Sequence, residues 1–123
     1  MSAIQPVDVS RMSFVIDRDL AVHTQEQAAG PPKRSAGVMV GVVEMDTAPP
    51  HGGEMHPDGD EVIYIISGRV RVLGDSAPDE PLELGPGDAC IIRKGEWHRI
   101  ELLEPVKLVH LTPGPGGEHR PPS

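Results

Sequence analysis

Aromatic residues are scarce: Phe14, Tyr64 and Trp97 are the only three in 123 residues. Three are too few for the stacking platforms that grip single-stranded nucleic acid. Positive charge is also in short supply, with 11 Lys and Arg against 19 Asp and Glu and a net charge of −8. Such a surface is repelled by phosphate backbones and anionic lipid, so neither nucleic acid nor a membrane is expected as a partner. No apolar run approaches the roughly 20 residues of a spanning helix. The single cysteine, Cys90, cannot form an internal disulfide, and no basic stretch followed by an apolar run opens the chain. These features predict a reducing, cytoplasmic setting. G-x-G-x-x-G, P-loop and H-E-x-x-H patterns are missing, which leaves nucleotide-binding folds without support.

What is present reads as β-structure in one domain. Val38 to Met45 is rich in β-branched residues and is closed by Pro49-Pro50. Glu61 to Ser67 reaches Gly68, and Arg69 to Leu73 then alternates strictly, which predicts a hairpin turning at Ser67-Gly68. Leu82 to Leu84, Ala89 to Arg93, Trp97 to Leu103 and Val106 to Thr112 complete about seven short strands, spaced as in an antiparallel sandwich or barrel. Residues 37–112 form the expected barrel. Residues 1–36 form an N-terminal extension, in which Phe14 to Ile16 and Leu20 to His23 are strand candidates and Gln25 to Ala29 a short helix candidate. Residues 113–123, with four Pro and three Gly in eleven, are expected to be a loose tail.

Chemistry concentrates in two stretches, Gly53 to Glu61 and Gly95 to His98. On an extended strand Glu54 and His56 project from one face, and the turn at Pro57-Asp58-Gly59 can bring Glu61 round beside them. His98 opens a later strand just after a glycine turn. Two imidazoles with one or two carboxylates suit a divalent transition metal with open positions. His51 is an alternative donor that needs a bulge at Gly52-Gly53 to turn inward. His110 is either a hydrogen-bonded core histidine or part of a pocket wall. His23 and His119 read as exposed, Asp58 and Asp60 as solvated turn residues, and Cys90 as a buried, inert thiol.

These residues resemble the cupin superfamily, small antiparallel jelly-roll barrels that often hold a catalytic metal. The family's first motif, G-x5-H-x-H-x3,4-E-x6-G, falls on Glu54, His56, Glu61 and Gly68, and its second, G-x5-P-x-G-x2-H-x3-N, on Gly87, Gly95 and His98. Departures are Ala48 for the opening Gly, Glu54 for the first His, Arg93 for the Pro and Leu102 for the Asn. The resemblance, over Val38 to Thr112, implies an all-β jelly-roll barrel. It also implies a metal site at His56, Glu61 and His98, with Glu54 either a fourth ligand or a base, and Fe, Mn, Ni or Zn as the ion.

Two functions follow from that resemblance. One is an enzyme with oxygenase- or isomerase-type chemistry on a small molecule, in which Tyr64 is a general acid if it faces inward and an inward Arg93 holds a carboxylate. The other is a non-catalytic module that binds a small ligand. Unpaired strand edges and the N-terminal segment also predict a homodimer, with that segment paired or swapped across a two-fold axis.

Overall fold

The computed structural model describes residues 2–27 and 35–122. Its regular elements are eleven strands: β1 (Met12–Ile16), β2 (Val22–Glu26), β3 (Gly37–Met45), β4 (Gly53–Met55), β5 (Glu61–Ser67), β6 (Val70–Gly74), β7 (Leu82–Leu84), β8 (Ala89–Ile92), β9 (His98–Leu102), β10 (Val106–Gly114) and β11 (Glu118–Arg120). No helix long and apolar enough to cross a membrane occurs among the described residues.

The strands form two antiparallel sheets. One has six strands in the order β2-β1-β3-β10-β5-β8, the other five in the order β11-β4-β9-β6-β7. Among the described residues no ladder joins the two, so the closed barrel of the sequence reading is instead a pair of sheets. Alternation within each strand builds the core between them. Ile63, Ile65, Leu108 and Ile92 from the six-stranded sheet pack with Val70, Val72 and Leu84 from the five-stranded one. Burying each such side chain contributes about 1.5–3 kcal/mol.

Three local expectations fail, each for a physical reason. No hairpin turns at Ser67-Gly68, because β5 and β6 belong to different sheets. The chain crosses between sheets there, with Gly68 at φ +85° against the Pro105 carbonyl, where a Cβ would collide. Strict alternation specified a strand after Gly68 but not its partner.

The tail is not loose. Pro113 and Gly114 continue β10, and β11 pairs with β4. Arg120 donates to both carboxylate oxygens of Asp75 at 2.7 and 3.0 Å, and its guanidinium lies 4.6 Å from the centre of the Trp97 ring. Backbone ladder, ion pair and cation–π contact together order a segment too poor in apolar side chains to be buried. The predicted helix fails at Gln25 and Glu26, which lie in β2; Ala28 and Ala29 fall outside the described residues.

Candidate metal centre

Neighbouring strands bring the site together. On β11, β4 and β9 the residues His119, Glu54 and His98 are direct cross-strand partners, in one row. His56 follows β4, where its carbonyl accepts from Gly95 N–H at 3.0 Å. Glu61 opens β5 in the opposite sheet. Ligand-type side chains therefore converge from both sheets onto one interior point.

Glu54, His56, Glu61 and His98 each offer an atom within 4.8 Å of the others, a grouping that could hold a metal ion. His98 Nε2 lies 3.1 Å from Glu61 Oε1 and 3.4 Å from Glu54 Oε1. His56 Nε2 lies 3.5 Å from Glu61 Oε2 and 3.6 Å from Glu54 Oε1. Ligands about 2.0–2.2 Å from a shared ion, at tetrahedral or octahedral angles, stand roughly 3.0–3.5 Å apart. The observed distances, 3.1 to 3.6 Å, lie close to that spacing, with Glu61 facing His98 through Oε1 and His56 through Oε2. His98, Glu61 and His56 are buried, with 1, 4 and 8% of their side-chain surface exposed, whereas Glu54 retains 23%.

Hydrogen bonding leaves the facing atoms free. His98 Nδ1 lies 3.0 Å from the Glu96 carbonyl. A carbonyl only accepts, so Nδ1 carries a proton, and the nitrogen that gives up its proton to an ion is Nε2, which faces the cluster. Glu61 Oε2 accepts from the Thr112 hydroxyl at 2.6 Å. That hydroxyl has a single proton, so the oxygen must accept from His110 Nδ1, 2.8 Å away. His56 Nδ1, His56 Nε2, Glu61 Oε1 and His98 Nε2 are buried and make no hydrogen bond. Unpaired buried polar atoms are costly, and an ion would satisfy the last three, leaving His56 Nδ1 unpaired.

The four side chains also set one another's charge. Burial alone would push the Glu54 and Glu61 carboxyls up, but the facing imidazoles outweigh it, holding Glu54 well below the usual range and Glu61 at about 2. Burial opposes protonation of His56 and His98, yet the two carboxylates raise them to about 9 and about 10. His110 is pushed down by burial, which keeps it the neutral donor that the Thr112 chain requires.

The remaining predicted residues fall as follows. Tyr64 is on the outer face of β5, 42% exposed, because it has the opposite parity to the inward Glu61 and Ile63. It stands away from the cluster and cannot serve as its acid. Arg93 is exposed and pairs with Asp60 at 3.2 Å, so it does not point inward. His51 reaches only the outer oxygen of Glu54, at 3.9 Å. His23 is exposed beside Asp17. Cys90 is a half-buried free thiol, pushed up by burial.

Two participants escaped the sequence reading, Thr112 and His119. Thr112 had a readable signal, since it sits two residues past His110 on the same strand face. His119 had none, because the composition around it reads as disordered; its Nε2 lies 3.3 Å from Glu54 Oε2.

A cavity of about 210 Å³ opens onto the cluster, with Met39, Met45, Ile63 and Ile100 as apolar wall and Glu54, His56 and Glu61 at its polar end. His110, Thr112 and His119 also reach it.

Among solved structures the chain is similar to a Bacillus halodurans protein, with 22% identity and a TM-score of 0.54 over 69% of this chain and 70% of that one. A cupin-2 domain containing protein from Shewanella frigidimarina matches at 21% identity and a TM-score of 0.55, over 73% of this chain and 85% of that one. Oxalate decarboxylase of Bacillus subtilis, described with Mn(II) centres, matches at 18% identity and a TM-score of 0.57, over 69% of this chain. The match spans only 24% of the decarboxylase chain. These likenesses support the fold alone. No curated protein matches. The model of the cupin domain family covers residues 41–112, from the middle of β3 to Thr112 in β10, and so includes all four clustered residues; by that match the chain belongs to the cupin family.

Proposed function

We propose that the protein binds a divalent transition ion through His56, Glu61, His98 and Glu54 and acts with it on a small molecule in the adjoining cavity, by oxygenase- or isomerase-type chemistry. The observation that carries this reading is the set of three buried, hydrogen-bond-free atoms, His56 Nε2, Glu61 Oε1 and His98 Nε2, with each imidazole nitrogen within 3.5 Å of a Glu61 carboxylate oxygen. Two carboxylates beside two imidazoles make an oxygen-rich donor set, which suits Mn²⁺ or Fe²⁺ better than Cu²⁺. When bound, the ion would polarise an oxygen of a chelating ligand.

The chain's own residues have separable tasks. His98 and Glu61 are fixed by the Glu96 carbonyl and by Thr112, so they define the floor of the site. Glu54 is the most exposed of the four and lines the cavity; where it does not ligate the ion, its carboxylate is the base for a seated substrate. The apolar wall excludes water from the substrate's body.

Elemental analysis of protein purified without added metal, and again after reconstitution with Fe²⁺, Mn²⁺, Ni²⁺ or Zn²⁺, tests the site. A stoichiometric ion is expected, and none under any condition refutes the reading. Oxygen uptake with catechols, diketones and thiols then tests for turnover, which His98→Ala should abolish. Glu54→His replaces the oxygen donor with the family's usual nitrogen and should shift selectivity from Mn²⁺ toward Zn²⁺ or Ni²⁺; unchanged selectivity would remove Glu54 from the ligand set.

A further inference from the structure

One residue sets the charge of the cluster. Where the cupin motif has its first histidine this chain has Glu54, whose Oε1 stands 3.6 and 3.4 Å from the inner nitrogens of His56 and His98. Ligands must be deprotonated to hold an ion, so a divalent ion here faces two carboxylates and two neutral imidazoles. Those charges cancel. Three imidazoles and a single carboxylate would instead leave the loaded site with one positive charge. At so short a range the Glu54 carboxylate removes that charge whether or not it ligates.

The cavity wall points the same way. Met39, Met45, Ile63 and Ile100 line it, and none of the described residues around it is Lys or Arg. Arg93, which in an inward position would hold a carboxylate, is turned onto Asp60, and Arg120 is tied to Asp75. The imidazoles outside the cluster are engaged as well, His110 with Thr112 and His119 with Glu54. Hydroxyl donors are equally committed: Thr112 donates to Glu61, and Ser35 donates to Gln25 at 3.2 Å. A carboxylate or a polyol against this wall would give up its water without replacement hydrogen bonds, a penalty that an apolar body does not meet.

We infer that the loaded site takes an uncharged chelating substrate with an apolar body, of the hydroxyketone or diketone class, and discriminates against carboxylate anions through Glu54. The inference rests on the metal reading of the cluster and names the substrate class for it. A neutral chelator brings two oxygen donors to the ion and adds no charge to a site already balanced. A carboxylate adds an uncompensated negative charge beside a wall of Met and Ile, in a chain whose net charge is already −8. Unit charges a few ångströms apart interact strongly even at an effective dielectric of about 20, so the one charge at Glu54 should change the affinity of an anion at least about tenfold.

Acetoin and lactate are matched probes. Each chelates through a hydroxyl and a neighbouring carbonyl oxygen, and a methyl group in the first replaces a charged oxygen in the second. Water-proton relaxation of the Mn²⁺-loaded full chain reads their binding, because a chelator displaces water from the ion; loading is confirmed beforehand by elemental analysis. Wild-type protein should bind acetoin more tightly than lactate. Glu54→Gln, which keeps the shape and removes the charge, should shift the ratio of the two dissociation constants toward lactate at least about tenfold, and Glu54→His should shift it the same way. Tighter binding of lactate than of acetoin by the wild type, or a ratio unmoved in both variants, would overturn the inference while leaving the metal site standing. Protein that takes up no ion would overturn the metal reading, and the inference with it.

Discussion

Glu54 faces two pairs of histidines, one on each side of its carboxylate, and the pairs have opposite chemistry. Its Oε1 faces His56 and His98 at 3.6 and 3.4 Å, and its Oε2 faces His51 and His119 at 3.9 and 3.3 Å. By residue type and spacing both groups qualify as cation sites. Hydrogen bonding to the far nitrogen separates them. His98 Nδ1 donates to the Glu96 carbonyl, which leaves Nε2 as the nitrogen that can shed its proton to an ion, whereas His51 Nδ1 accepts from Gly53 N–H at 3.2 Å, which puts the proton on Nε2. Burial lowers the pKa of His51, keeping it neutral and so in that tautomer. His98 presents its Nε2 to an ion; His51 presents an N–H to a carboxylate. Second-sphere partners, not the count of histidines, decide which group is a ligand set.

The largest test of that difference is removal of one histidine from each side. His98→Ala should cost more than about 100-fold in ion affinity, above the 10–100-fold typical of outer partners. His51→Ala should cost at most a few-fold. Titration calorimetry of both variants with Mn²⁺ reads the gap, and equal losses would erase the distinction.

Protons sharpen the same contrast. In chelated protein His56 and His98 titrate at about 9 and about 10, so both are protonated at pH 7 and ion uptake must displace the two protons. Ion affinity should therefore rise steeply with pH, by up to about 100-fold per unit, and level off above about pH 10. The sign for folding is the reverse. A histidine whose folded pKa lies above its unfolded value stabilises the fold at and below about pH 6.5 and loses that contribution as pH rises through 9 to 10. Chelated protein should melt lower at pH 10 than at pH 7, and the loaded protein should not follow it. Calorimetry in buffers of different ionisation enthalpy counts the protons released.

A smaller effect is expected from Thr112→Val, which keeps the shape and removes the donor to Glu61 Oε2. It should weaken ion binding by about 10–100-fold and leave the melting temperature of chelated protein within a few degrees. His110→Gln, which can still donate to residue 112, should recover part of what His110→Ala loses. Gly41→Ala should mimic the loss, because a Cβ at residue 41 would drive into His110 Nε2.

Much of this arrangement was legible in the sequence, because period-two alternation and glycine turns are local signals. Strands β3, β5, β7 and β10 were found close to their limits, and His56, Glu61 and His98 followed from spacing on them. Pairing was not legible: Arg69 to Leu73 alternates identically whether it folds back on β5 or crosses to the other sheet. Parity along β5 was legible and decisive for Tyr64, since Glu61 inward forces residue 64 outward. The tail misled because Pro and Gly report poverty of apolar burial, whereas β11 is held by a salt bridge to Asp75 and a ladder to β4.

His119 carries the smallest expected effect and the most informative one. It touches Glu54 on the side away from the cluster, with 37% of its side chain exposed, so its contact is worth little by itself. Its leverage is geometric, because Glu54 has both oxygens engaged and can rotate once the outer one is released. His119→Ala should thus lower ion affinity only about two- to fivefold, within the range of a single weak hydrogen bond. Rotation of Glu54 should nevertheless broaden the Mn²⁺ electron paramagnetic resonance spectrum of the loaded protein, and His119→Gln, which still offers a donor, should restore it. Arg120→Ala removes the tie to Asp75 that seats β11 and should reproduce the broadening without touching Glu54. Unaltered spectra in both variants would mean that β4 alone orients Glu54, and that the outer histidines are bystanders.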